Sequence, residues 1–320
     1  MHEIRLTIRL ALLGLAVLAM TAPRTVFAGF GTYIAVGDSL AFGETDFTNN
    51  PSNGDRGYVA PFADHLAQFY GGRPTVINLG LDSETSTTFF NGGTPGDGTV
   101  PGMPGYVQNT NYSNPFPPGT TQHGMLFSII NDQKAAGNTI DAVSIQLGGN
   151  DLFVLARSPG FFDTLTPAEQ QAAVGQTLAT IQQNNFALLT ELRQALPQTD
   201  IVMMGYLDPF APFRNDPSSP LFPIAQASAG AIPALNQINA GLATQFNAHY
   251  IDTYSLFVGN ELTDTSIADG GNVHPNAAGY ALIAGAMQAV PEPASLALVL
   301  IGAMGVPGLA RRRSRVAARV

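Results

Sequence analysis

Two short runs near opposite ends of the chain carry residue types suited to acyl transfer. Val36-Gly37-Asp38-Ser39-Leu40 closes a short apolar run, and Val273-His274-Pro275-Asn276 follows with its histidine 235 residues after the serine. A serine hydroxyl is a poor nucleophile until a base removes its proton, and imidazole, with an ordinary pKa of about 6.5, does so near neutrality. The pair points to a serine hydrolase. Between the two runs lie Asn78-Leu79-Gly80 and Gly148-Gly149-Asn150-Asp151. Two glycines beside an amide and a carboxylate suit a close approach of backbone to a ligand. Taken singly, each run has a plainer reading, a helix cap for the serine and simple turns for the glycines. Among the other histidines of residues 29–290, His65 falls in a helical pattern, His123 in a long irregular stretch and His249 beside an apolar run.

The elements that must position these residues follow from hydrophobic patterning. Short buried strands are expected at Tyr33 to Val36, Thr75 to Ile77, Ala142 to Leu147, Ile201 to Met204 and Tyr250 to Ile251. Helical patterns fill 58–70, 124–136, 166–196, 225–247 and 276–289. The third begins at Thr166-Pro167-Ala168-Glu169, a capping box with proline at the first helical position. Strands that alternate with helices imply an α/β fold with a parallel, doubly wound sheet of about five strands and its site at their carboxyl ends. Residues 91–123 break the alternation, being rich in Gly, Pro, Asn and Thr, and read as a functional rim or insertion. Phe89, Phe90, Tyr106, Tyr112 and Phe116, in or beside it, are candidates to line an acyl or sugar site.

Both termini read as processing signals. Arg5 and Arg9, the apolar run Leu10 to Met20 and Val26-Phe27-Ala28 make residues 1–28 a secretory signal peptide, with a transmembrane helix as the alternative. The hydrolase domain then spans 29–290. Residues 291–320 contain Pro291-Glu292-Pro293, an apolar stretch from Ala294 to Leu309, and Arg311-Arg312-Arg313. Arginines after the last turn favour a cytoplasmic end, so this tail associates with the inner membrane. Residues 29–290 hold 6 of the 14 basic but 21 of the 23 acidic residues, a balance near −15. Such a surface repels phosphate backbones, which excludes nucleic acid as a partner. The chain has no cysteine, which removes thiol nucleophiles, thiolate metal sites and disulfides. Asp46 to Asp55 lacks the spacing of a calcium loop, so neither metal nor cofactor is expected.

In order and content the four runs resemble the SGNH hydrolases, also called GDSL esterases and lipases, across residues 31–289. That resemblance implies a flavodoxin-like three-layer α/β/α sandwich. It implies Ser39 as nucleophile, His274 as general base, and Gly80, Asn150 and the Ser39 amide as an oxyanion hole. The family usually places a carboxylate three residues before the histidine, where this chain has Gly271. Asp269 is the nearest acid upstream, and Gly270 and Gly271 allow a bulged loop to return it to the imidazole. The alternative is a Ser-His dyad oriented by a backbone carbonyl. The tail resembles the PEP-CTERM sorting tag of Gram-negative bacteria, which implies recognition by an exosortase and a periplasmic, cell-surface or matrix destination, or else a permanent anchor. The expected substrate is a carboxylic ester of a lipid, a small alcohol or an acylated polysaccharide. A surface protein that keeps the fold without turnover is the competing reading.

Overall fold

The computed structural model describes residues 31–45, 57–70, 72–94, 116–268 and 271–289. Five strands, β1 (Thr32–Gly37), β2 (Thr75–Asn78), β3 (Ile140–Gln146), β4 (Asp200–Met204) and β5 (His249–Ile251), form one sheet in the order 2-1-3-4-5. Every pairing is parallel. The helices are α1 (Ser39–Phe42), α2 (Val59–Tyr70), α3 (Ser86–Asn91), α4 (Gln122–Ala135), α5 (Gly149–Ala156), α6 (Pro167–Ala195), α7 (Phe222–Gln245), α8 (Thr253–Phe257), α9 (Glu261–Asp264) and α10 (Ala277–Met287), with a 3₁₀ turn at Ala211–Phe213.

Strand β1 lies inside the sheet, between β2 and β3, and is buried along its whole length. Successive side chains of a strand point to opposite faces. Tyr33 and Ala35 accordingly join one apolar cluster with Phe62, Leu66, Ile283 and Met287 from α2 and α10. Ile34 and Val36 join the other, with Leu126, Ile130, Leu188 and Leu192 from α4 and α6. Burial on both faces explains why the strand reads as a continuous apolar run rather than an alternation. The three-layer sandwich expected from the sequence is therefore present. The strand order reverses between β1 and β3, and a crevice opens at such a point beyond the carboxyl ends of the two strands. Ser39 follows β1 there, and Gly148 to Asn150 follow β3.

The cap of α6 has the expected form. Thr166 Oγ1 accepts from the Glu169 amide at 3.3 Å, and the Thr166 amide donates to Glu169 Oε2 at 2.8 Å, with Pro167 first in the helix. Thr166→Ala removes one arm of this reciprocal pair and is expected to cost about 1 kcal/mol, read as a lower denaturant midpoint at unchanged slope.

The patterning missed α1, α3, α5, α8 and α9. All five are short, and α5 begins at the Gly148-Gly149 pair that reads as a turn. Of the rim residues, 95–115 lie outside the described residues, Tyr106 and Tyr112 among them. Phe89 and Phe116 are buried in the second apolar cluster, so these two serve the core rather than an acyl site. Phe90 packs at the edge of that cluster against the His123 ring, 4.7 Å between centroids. Residues 1–30 and 290–320, with both expected processing signals, also lie outside the described residues. Among the described residues no helix is long and apolar enough to cross a membrane.

Candidate active site

The nucleophile turn is built by exclusion of side chains. Gly37 has φ +140°, and a Cβ there would lie 2.3 Å from the Gln146 carbonyl oxygen of β3, so the strand end admits only glycine. Asp38 then caps α1, accepting from the Leu40 amide at 3.0 Å through Oδ1. Its Oδ2 accepts from the Tyr206 hydroxyl at 2.6 Å. Ser39 is the first residue of α1, where a helix leaves amides without intrahelical partners. That sets its own N–H at the start of the helix, on the same residue as the hydroxyl. The helix ends after one turn at Gly43, φ +91°.

His274 arrives from the loop before α10. Its Nε2 lies 2.8 Å from Ser39 Oγ, and its Nδ1 lies 2.6 Å from Asn272 Oδ1. Asn272 Oδ1 also accepts from the His274 amide at 3.0 Å, while its Nδ2 donates to the Thr45 carbonyl at 3.3 Å. The Thr45 contact fixes which end of the amide faces the ring. An amide oxygen can only accept, so Nδ1 carries the ring proton and Nε2 presents its lone pair to the Ser39 hydroxyl. This is the tautomer a general base needs. Gly271, at the position where the family carries its carboxylate, has φ +84° and no atom near its missing Cβ. Asp269 lies outside the described residues. Asn272 was not singled out from the sequence, where an Asx residue two positions before a histidine reads as ordinary loop chemistry.

Asn150 and Gly80 are held in turns that follow β3 and β2. Asn150, in the first turn of α5, donates from Nδ2 to the Glu84 carbonyl at 3.1 Å, and an amide nitrogen carries a second hydrogen besides the one used there. Gly149 packs under the Tyr206 ring, where a Cβ would come within 2.4 Å of Cε1. Asp151 accepts from the Ser86 amide and hydroxyl, both at 2.7 Å, and so holds the turn. Gly80 sits against α1, since a Cβ would lie 2.5 Å from the Phe42 nitrogen. Its N–H donates to Asn78 Oδ1 at 2.9 Å, and Asn78 Nδ2 donates to the Ala41 carbonyl at 2.8 Å. Gly80 is thus beside the nucleophile helix with its amide engaged inside its own turn.

Behind the turn is a polar array that hydropathy could not reveal. Gln122, fully buried on α4, accepts from the Gly37 amide at 2.7 Å and donates to the Gly37 carbonyl at 2.9 Å, as a neighbouring strand would. Its Nε2 also lies 3.0 Å from Glu84 Oε2, and the Glu84 carboxylate accepts from Thr94 Oγ1 at 2.6 Å. One buried unit thereby holds both the serine turn and, through the Glu84 carbonyl, the Asn150 amide.

Two further acids face the imidazole. Glu44, at the exit of α1, is buried and places Oε2 3.7 Å from His274 Nε2. Asp82, after β2, completes a set in which one donor atom from each of the three residues falls within 4.8 Å of the others. A cation accepts such a spacing too, but Nε2 is already occupied by the Ser39 hydroxyl, which makes the set an acid–base cluster.

Burial drives the two central ionisable groups toward neutrality. It pushes Asp38 up to about 7 against its hydrogen bonds, and it pushes His274 down to about 4. The linkage signs are opposite. Folded Asp38 holds its proton where the unfolded carboxyl has lost it, so its contribution to stability falls as pH rises from about 4 to about 7. Folded His274 stays neutral where the unfolded ring is charged, so its contribution rises with pH from about 4 to 6.5. Between pH 4 and 6.5 the two slopes offset one another. Asp38→Asn removes one of them, and its stability relative to wild type is expected to grow by ~3 kcal/mol across that window in urea unfolding. A constant difference would refute the burial argument.

The model of the GDSL-like lipase/acylhydrolase family matches residues 35–282. The lipase Lip_vut3 from a goat rumen metagenome superposes with a TM-score of 0.55 at 17% identity, covering 83% of this chain and 99% of that one. An extracellular lipase from Streptomyces rimosus superposes with a TM-score of 0.51 at 16% identity, covering 80% and 99%. At these identities the likeness is one of fold. No curated protein matches in sequence. The family match runs from within β1 through β5 and includes both ends of the Ser39–His274 contact, and the chain belongs to the GDSL-like lipase/acylhydrolase family of serine ester hydrolases.

Proposed function

We propose that the chain is an exported serine esterase or lipase that cleaves carboxylic esters through a Ser39 acyl-enzyme. The observation that carries this reading is the continuous chain from Ser39 Oγ to His274 Nε2, at 2.8 Å, and from His274 Nδ1 to Asn272 Oδ1, at 2.6 Å. The Ser39 proton passes to Nε2 as Oγ bonds to the ester carbon, and the carbonyl electrons move onto oxygen. The Ser39 amide and the free hydrogen of Asn150 Nδ2 stabilise that oxyanion, with the Gly80 amide joining if it leaves Asn78. The imidazolium returns the proton to the leaving alkoxide as the C–O bond breaks. Water then repeats the sequence on the acyl-enzyme and releases the acid. Asn272 takes the orienting role expected of Asp269, because Nδ1 has one hydrogen and Asn272 receives it.

Partly buried Phe153, Phe213, Leu221 and Val273 pack with Phe210 and Ile267 in a small apolar cluster, close in sequence to Asn150 on one side and His274 on the other. This supports an apolar acyl group. Covalent modification tests the proposal. A p-nitrophenyl phosphonate ester is expected to label Ser39, identified by peptide mass spectrometry, in an enzyme that hydrolyses p-nitrophenyl carboxylic esters. Labelling of a different serine removes the assignment. Residues 1–28 and 291–320 support export followed by exosortase sorting. Intact mass of the protein from its native host is expected to show a species that begins near Gly29 and lacks Arg311 to Arg313; retention of those arginines rules out sorting by cleavage.

A further inference from the structure

We propose that Glu44 is the counter-charge of the catalytic base, a positioning residue that stabilises the His274 imidazolium from the nucleophile side of the ring. The inference rests on the acyl-enzyme reading above and adds a role to a residue outside the family's four sequence runs. In a serine hydrolase with a triad carboxylate, that group lies on Nδ1 and offsets the positive charge the imidazole gains. Here the Nδ1 partner is the neutral amide of Asn272, which sets the tautomer but brings no charge. The ring is buried, and desolvation opposes its protonated form. Formation of the imidazolium in this environment therefore calls for an anion nearby.

Glu44 answers that need by position. Its Oε2 stands 3.7 Å from Nε2, too long for a hydrogen bond that would compete with Ser39 and short enough for strong attraction in a buried setting. The segment that carries it is fixed to the active site. The Glu44 amide bonds to the Ser39 carbonyl at 3.0 Å, and the Glu44 carbonyl accepts from the Tyr280 hydroxyl of α10 at 2.8 Å. The adjacent Thr45 carbonyl is the acceptor that orients Asn272. One stretch of chain thus sets the carboxylate against the ring and also sets the ring's tautomer. Among the described residues, the charged and titratable groups facing His274 are Glu44 from the exit of α1 and Asp82 from the turn after β2, while Asp38, next to Ser39, is directed at Tyr206. Asp82 is less buried than Glu44, and its field is more screened.

Proton balance is unchanged by this role. Glu44 takes no proton at any step. Its carboxylate favours the state in which Nε2 holds the Ser39 proton and gives it up when the leaving alkoxide does, restoring the neutral ring for deacylation.

The test is steady-state kinetics of Glu44→Gln on a p-nitrophenyl ester, with rates of phosphonate labelling and a pH profile of kcat/KM. An opposite charge within 4 to 6 Å shifts a pKa by about 1 to 3 units, each unit being a factor of ten. Glu44→Gln is therefore expected to lower kcat by about 10- to 1,000-fold with little change in KM, to slow labelling in parallel, and to move the acid limb to lower pH. Glu44→Asp keeps the charge one methylene farther off and is expected to fall between the two. It also serves as the deciding variant if Glu44→Gln does not fold. A wild-type kcat with an unmoved acid limb in Glu44→Gln, a raised KM at constant kcat, or full activity in Glu44→Asp when only that variant folds, overturns the proposal. Failure of the underlying reading shows separately, as turnover that survives loss of the Ser39 hydroxyl.

Discussion

Ser39→Ala lowers kcat by about 10⁶, the loss expected when the nucleophile of a serine hydrolase is removed, and abolishes phosphonate labelling. The substitution deletes one oxygen and its 2.8 Å contact with His274 Nε2. It leaves the cap of α1 intact, because that cap is the Asp38 carboxylate on the Leu40 amide. Alanine suits a helix, and the described contact it removes is the one to His274 Nε2. Unfolding should therefore shift by no more than about 1 to 3 kcal/mol, and the loss is assignable to chemistry. The residue of activity should be that of the oxyanion donors and substrate binding, roughly 10³ above the uncatalysed rate. A variant with more than a few per cent of wild-type turnover would mean that another nucleophile is at work.

The second large effect belongs to Asn272. Asn272→Ala removes the acceptor of both the Nδ1–H and the His274 amide, and leaves two buried donors without partners. The ring is then free to place its proton on Nε2, which points a donor at Ser39 and stops general-base catalysis. A loss of about 10² to 10⁴ in kcat is expected, the upper figure being that for a triad carboxylate converted to the wrong-tautomer amide. Asp269→Asn, by contrast, is expected to retain near-wild-type kcat. Kinetics of the two variants side by side decide the matter: collapse of Asp269→Asn with an active Asn272→Ala would return the orienting role to the carboxylate. Asn272→Asp is informative as a third member, since it keeps the acceptor on Nδ1 but sets a charged oxygen against the Thr45 carbonyl that now receives a hydrogen bond.

Much of this was legible in the chain. The five strands are short apolar runs bounded by turn residues, and burial on both faces made them continuous enough to read. Ser39 and His274 could be paired because hydroxyl and imidazole have few partners for this chemistry, and Gly37 marked the tight turn before Ser39, whereas Gly148 and Gly149, read as room for a ligand, pack against the side chains of Ile181, Leu235 and Tyr206. What could not be read were roles fixed by three-dimensional approach. Asn272, Gln122 and Glu84 are polar residues with no periodicity or charge pattern to mark them, and each acquires its role from a partner far away in sequence. Gln122 reaches Gly37 across 85 residues, and Asn272 reaches Thr45 across 227. Phe89 and Phe116 show the converse. Their place beside an irregular segment suggested a binding rim, whereas the core claimed them because large aromatic surface is stabilised most by complete burial.

The two reacting side chains come from the first strand's exit and the last loop, and their contact closes 235 residues of intervening chain. Catalytic power is therefore a property of the finished topology. A nascent chain with β1 to β5 in place but α10 undocked has a nucleophile and no base, and a fragment from either end has only one of the two. This long-range closure confines ester cleavage to molecules that have completed folding, so a simple turnover assay also counts correctly folded protein.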